Sequence, residues 1–242
     1  MVTTEAILRA ESVSHSFDEV DVLDDISVDV EPGQVMAIVG PNGSGKTTLL
    51  RVLARLLSPT EGTVEYRGPD REREIGYLPQ RPTFRPGFTV RETIDFYRAL
   101  VEEEGTDRLS QVGLADASNR RVEALSGGMT RLLGIAQATV GDPPLVVLDE
   151  PGSGLDPGMR RRTFEVANEL AADGTAVLVS SHDLSLVERT ADRVLVLDRG
   201  SVVADGTPTD LRSAHGVDSL WDVFGAATTG STETVDVAGV ST

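Results

Sequence analysis

Lys46 is the only lysine among the 22 basic residues of this 242-residue chain; all the others are arginine. It sits in Gly40-Pro41-Asn42-Gly43-Ser44-Gly45-Lys46-Thr47, the G-x-x-x-x-G-K-[ST] spacing of a phosphate-binding loop. A compact ammonium on a thin stem fits between β- and γ-phosphate oxygens, where a planar guanidinium needs a wider, forked partner. The glycines let backbone N–H groups close around phosphate, and a helix that follows aims its positive end at it. Thr47 offers a hydroxyl to Mg2+. Val35 to Val39 reads as a buried strand before the loop, and Thr47 to Leu56 as a helix after it. Gly40 to Thr48 are therefore candidate residues for binding ATP.

A second constellation lies about a hundred residues on. Leu145-Val146-Val147-Leu148 is an apolar strand that ends in Asp149-Glu150. A strand ending near a phosphate loop places Asp149 to hold Mg2+ and Glu150, one residue further, to polarise an attacking water. An acid pair after a core strand also serves to cap a helix. Beside a phosphate loop the chemical role is the stronger reading.

Bulk composition narrows the class. The length suits one large α/β domain, or a domain with a subdomain, and supports a sizeable core. There is no cysteine, hence no disulfide scaffold, and His15, His182 and His215 are scattered, which disfavours a zinc site. No apolar run approaches the ~18 residues of a membrane span, and no signal peptide opens the chain, so the expected location is cytosolic. The net charge is −17. Asp18 to Glu31 is rich in acid, but the acids form no single block. Abundant acid with almost no lysine resembles the composition of proteins bathed in molar salt, where repulsion is screened over ~3 Å. An acidic patch for a basic partner is the rival reading. Either disfavours direct binding of nucleic acid.

The remaining elements must position these residues. Ile7 to Val13 and Val22 to Val30 read as strands, Pro32-Gly33 as a turn, and Thr63 to Tyr66 and Ile75 to Leu78 as short strands. Thr89-Val90-Arg91-Glu92 is a capping box opening a helix to about Glu103. A further helical stretch ends near Val112, before Gly113. The segment from about 82 to 140 thus reads as a mostly helical insertion in an α/β pattern. Then come a helix over Met159 to Ala172, a strand over Thr175 to Val179, a helix from Leu184 to about Thr190 and a strand over Val194 to Leu197. Thr207-Pro208 opens a last short helix. Residues 217–242, and most plainly those from Gly225 on, are expected to form a loose tail.

Leu125-Ser126-Gly127-Gly128-Met129 precedes an expected helix and completes the pattern. With Gly40 to Thr47 and Asp149-Glu150 it resembles the ATP-binding subunit of ABC transporters over about residues 5–215, in family order. The resemblance implies a P-loop NTPase core with an N-terminal antiparallel β subdomain and an inserted α-helical subdomain, acting on ATP with Mg2+. It implies that Phe17 stacks on adenine, that Gln80 in Tyr77-Leu78-Pro79-Gln80 senses Mg2+ and the attacking water, and that His182 contacts the γ-phosphate. Ser153-Gly154-Leu155-Asp156 matches the loop that crosses a dimer, so Asp156 joins the nucleotide-site residues. Taken singly, Phe17 reads as an ordinary hydrophobic contact, His182 as a capping or satisfied polar group, and Gln80 as a loop residue.

Two positions depart from the family pattern: Met129 stands where Gln is usual, and Gly152 where Thr is usual. Met129 leans the resemblance towards exporter branches similar to drug-export and copper/nitrous-oxide-reductase maturation ATPases, and the composition towards a halophilic archaeal source. The resemblance further implies a head-to-tail pair with a second or paralogous ATP-binding subunit. Ser126, Gly127 and Gly128 of one chain then meet the nucleotide held by Lys46, Thr47, Gln80, Asp149 and His182 of the other. An integral-membrane permease would place the pair on the cytoplasmic face of the membrane. The rival readings are a soluble ABC-type ATPase in cofactor or iron–sulfur cluster assembly, and a chromosome or translation ATPase. The last lacks support in a chain with no coiled-coil insert, second cassette or basic stripe.

Overall fold

The computed structural model of the chain describes residues 5–103 and 107–228. Its elements in order are β1 (Leu8–Phe17), β2 (Val20–Val30), β3 (Val35–Val39), α1 (Lys46–Leu53), β4 (Glu61–Tyr66), β5 (Ile75–Leu78), α2 (Val90–Leu100), α3 (Arg108–Val112) and α4 (Gly127–Thr139). They continue with β6 (Leu145–Leu148), α5 (Pro157–Ala172), β7 (Ala176–Ser180), α6 (Leu184–Thr190), β8 (Arg193–Asp198), β9 (Ser201–Gly206), α7 (Pro208–His215) and α8 (Leu220–Thr228).

The continuous apolar runs become strands covered on both faces. Every residue of β3, β6 and β7 is buried, as strands of a parallel sheet with helices over it must be. The main sheet has the order β5-β6-β7-β3-β8-β9. Its strands run parallel except β9, which returns antiparallel to β8. Chain order jumps on both sides of β3, and ligands of open α/β sheets bind beyond the carboxyl end of a strand at such a switch point. There β3 releases the chain into Gly40–Gly45.

Alternation along the strands divides the core into two layers. Met36, Ile38, Leu178 and Leu195 face α1 and a three-stranded antiparallel sheet, β2-β1-β4, which contributes Leu8, Val13, Leu23 and Ile26. Val35, Ala37, Val39 and Val179 face the other way, onto Leu133, Phe164 and Val187 of the helices. The helical segment between β5 and β6 shares that second layer: Ile94, Leu109 and Val112 belong to the same buried cluster as the sheet. Its entry is the expected capping box, with Thr89 Oγ1 accepting from the Glu92 N–H at 3.2 Å and Glu92 Oε2 from the Thr89 N–H at 2.8 Å.

Some boundaries differ from expectation. α1 stops at Leu53, because Arg55 turns to a φ of 57°. α2 stops at Leu100, ahead of Glu102 at 47°. α5 begins earlier than Met159, since Asp156 caps it and Pro157 takes its first position. β9 was not expected. Arg199 and Gly200, at φ 47° and 82°, make the two-residue turn of a right-twisted hairpin. The expected loose tail from residue 217 needs correction. α8 packs on the core through Leu220 and Val223, which are buried, and Glu188 accepts from the Leu220 N–H at 3.3 Å. Leu220 and Val223, at i and i+3, dock the helix, and the half-buried Phe224 and Ala227 pack against the same core. Residues 229–242 lie outside the described residues.

Candidate active site

The loop between β3 and α1 wraps the end of the sheet. Gly45 holds a φ of 101°, and a Cβ there would lie 2.8 Å from the Val22 carbonyl, so only glycine fits. No side chain caps α1 at Gly45, which leaves the first N–H groups of the helix for an anion. Gly40, Pro41 and Ser44 frame the loop from beneath. The Ser44 N–H donates to the Pro41 carbonyl at 3.2 Å, and the Gly200 N–H to the Ser44 carbonyl at 3.1 Å. Lys46 Nζ crosses the loop and donates to the carbonyls of Gly40 and Pro41, both at 2.9 Å. Burial pushes this ammonium below the usual lysine range, and the Glu150 and Asp149 carboxylates work against that shift.

Asp149 arrives at the end of β6. Its Oδ1 accepts from Thr47 Oγ1 at 3.2 Å and from Ser180 Oγ at 2.8 Å. The Ser180 hydroxyl also accepts from the Glu150 N–H at 2.8 Å. One fully buried hydroxyl at the end of β7 therefore fixes both acids. Sequence reasoning passed over Ser180, and its only signal is a polar residue closing an otherwise apolar strand beside His182. Glu150 takes a φ of 49°, a left-handed conformation that costs a side-chain-bearing residue roughly 1–3 kcal/mol. The turn directs its carboxylate away from the strand and onto Nε2 of His182, with which it pairs.

A cleft of about 460 Å³ gathers most of the expected residues. Phe17, Asn42, Gly43, Gly45, Lys46, Thr47, Thr48, Gln80, Glu150 and His182 line it. Phe17 stands at the end of β1, 47% exposed, with its ring edge-on to His15 at 4.6 Å between centroids. It presents a flat apolar face beside the phosphate loop, suited to stacking.

Ser126, Gly127, Gly128 and Asp156 do not line this cleft. Ser126 caps α4, its Oγ accepting from the Met129 N–H at 3.2 Å, and Ser126 and Gly127 are exposed. Asp156 Oδ1 caps α5 by accepting from the Gly158 and Met159 N–H groups, both at 3.0 Å.

Comparison with known proteins identifies the family. The family described as ABC transporter matches residues 23–153. The chain is 34% identical to the Nod factor export ATP-binding protein I of Paraburkholderia xenovorans (strain LB400), across 91% of this chain and 77% of that one. It is also 34% identical to the phosphonates import ATP-binding protein PhnC 2 of Synechococcus sp. (strain JA-2-3B'a(2-13)), across 98% and 100%. A solved ATP-binding subunit of an ABC transporter superposes with a TM-score of 0.80 at 27% identity, across 91% of this chain and 99% of that one. Family match, overall fold and phosphate loop agree: the chain belongs to the ABC transporter family, as an ATP-binding subunit, and is an ATPase.

Proposed function

We propose that this subunit works in a head-to-tail pair, with a second copy or a paralogue, to drive an integral-membrane permease in export. The observation that carries the pairing is the split site. One cleft gathers Phe17, the phosphate loop, Gln80, Glu150 and His182, while the helix N-terminus at Ser126–Gly128, exposed at Ser126 and Gly127, lies outside it. A second chain brings that N-terminus to the γ-phosphate as an anion site. Thr47 and Asp149 offer hard oxygen donors 3.2 Å apart, and Gln80 lies in the adjoining cleft. This fits Mg2+, which takes few protein ligands and completes its shell with phosphate oxygens and water. When bound, the ion neutralises phosphate charge. Glu150 would polarise the attacking water, held by Ser180 and His182. His182 would contact the γ-phosphate, and Phe17 would stack on adenine.

Export is supported by Met129 and by relatives named for Nod factor export; the phosphonate import relative is the counterweight. Transport names among the relatives weigh against a soluble assembly ATPase. We place the subunit on the cytoplasmic face of the membrane, held there by the permease. Among the described residues no helix is long and apolar enough to cross a membrane. The segment 82–140 would carry motion to the permease. Lys46→Ala tests the core of this reading. It is expected to lose ATP binding and ATP-dependent pairing on a sizing column, and a variant that still pairs with ATP overturns the assignment of the loop.

The surface supports a salt-loaded, halophilic setting. Asp18, Glu19, Asp21, Asp24, Asp25 and Glu31 are all exposed around β2. Their mutual repulsion is screened only at high ionic strength. The melting temperature is expected to rise steeply towards molar KCl, and a melt that is flat across a salt series counts against that setting.

A further inference from the structure

Behind Glu150 lies a second cleft, about 450 Å³, lined by Glu150, Gly152, Arg160, His182, Asp183 and Trp221 among others. Arg160, in the first turn of α5, has no part in the roles described so far. Its Nη1 donates to Asp183 Oδ2 at 2.9 Å and its Nη2 to the Leu155 carbonyl at 3.1 Å. One guanidinium therefore joins the loop after β6 to the residue that follows His182. Asp183 is itself held: its Oδ1 accepts from the Leu186 N–H at 3.1 Å and its own N–H donates to Ser181 Oγ at 3.0 Å. Burial works to raise the Asp183 carboxyl, but Arg160 and the Leu186 N–H together outweigh it and hold the group below the usual range.

The contacts close on themselves. His182 meets the Glu150 carboxylate. From Glu150 the chain reaches Leu155 through two tight turns, Ser153 N–H to the Glu150 carbonyl at 3.1 Å and Leu155 N–H to the Gly152 carbonyl at 3.3 Å. Arg160 then returns the path to Asp183, next to His182. Gly152 gives the arginine its route: a Cβ there would stand 2.7 Å from Arg160 Cγ. Cγ lies near the backbone, so it cannot swing clear as the tip of the side chain could.

We propose that Arg160 is a positioning residue for ATP hydrolysis: it ties the Ser153–Asp156 loop to the Glu150–His182 pair, and Gly152 supplies the space for it. The inference rests on the reading above, in which Glu150 polarises water and that loop meets the second chain. A displacement of the loop by the partner then reaches His182 through a single fork. Lysine can keep a charge opposite Asp183, but it lacks a second donor in fixed geometry for the Leu155 carbonyl.

The test is steady-state hydrolysis and ATP binding by the full chain in molar KCl. Arg160→Ala is expected to lower kcat about tenfold or more with KM unchanged; a catalytic misplacement of ~1 Å costs about a hundredfold. Arg160→Lys recovers only part of the loss. Gly152→Ala reproduces the defect in the wild-type background and adds nothing to Arg160→Ala, where no Cγ remains to displace. Full activity in Arg160→Lys, a raised KM with intact kcat, or independent losses from Gly152→Ala and Arg160→Ala overturns the inference. If Arg160→Ala melts early, followed through the single tryptophan Trp221, Gly152→Ala and Arg160→Lys decide alone. A Glu150→Gln variant that hydrolyses ATP at the wild-type rate overturns the underlying reading instead.

Discussion

Glu150→Gln is expected to bind ATP as the wild type does and to hydrolyse it about 10²–10⁴-fold more slowly, the usual contribution of a positioned base. The substitution preserves size, and the Glu150 N–H bond to Ser180 Oγ, 2.8 Å long, is made by the backbone. The left-handed turn at φ 49° is equally open to glutamine. What disappears is the carboxylate that His182 meets and that would draw a proton from water. Lys46, Thr47 and the N–H groups that open α1 would still hold the phosphates, so a paired, ATP-loaded state should persist instead of decaying. A sizing column run with ATP should show a stable dimer in Glu150→Gln and none in Lys46→Ala. A wild-type hydrolysis rate in Glu150→Gln would leave its role structural.

The phosphate loop and the strand before Asp149 were legible because each is a local pattern. The spacing from Gly40 to Thr47 is continuous in sequence, and β5 and β6 are short apolar runs whose bounds match expectation residue for residue. The convergence of distant parts was not legible from spacing alone. Thr47 and Asp149 are 102 positions apart, yet their side chains hydrogen-bond. The two motifs assigned both residues to one Mg2+ in advance, but the motifs give roles and not the contact between the side chains. Ser180 had no local pattern at all; its role arises because β7 lies beside β6 in the sheet and its last residue ends level with the acids. Arg160 was invisible for the same reason: it is one arginine among three in succession, Arg160-Arg161-Arg162, and tertiary packing alone separates it from Arg161, which pairs with Glu165 along the helix face. α8 was missed because Leu220, Trp221, Val223 and Phe224 stand at the start of a stretch rich in Ala, Thr, Gly and Ser, and so short a helix forms by docking, not by intrinsic preference.

Ser126→Arg is expected to separate binding from chemistry. In one chain the Ser126 side chain caps α4, accepting from the Met129 N–H at 3.2 Å. Losing such a cap costs about 1 kcal/mol, which a core built on both faces of a six-stranded sheet can absorb. Ser126 is exposed and lies outside the cleft that holds Lys46 and Phe17, so ATP binding by the isolated subunit should stay close to wild type. Hydrolysis should be abolished, because a long guanidinium side chain replaces the short hydroxyl at the N-terminus that would meet the partner's γ-phosphate. That end of the helix is already positive, and a second positive group there is further disfavoured. Ser126→Ala supplies the control: it removes the same cap without adding bulk, so its melting temperature should match that of Ser126→Arg while some hydrolysis remains. Equilibrium ATP binding to monomeric protein, measured beside the hydrolysis rate, decides the matter. A Ser126→Arg subunit that loses ATP binding on its own places Ser126 in its own chain's site and ends the shared-site reading.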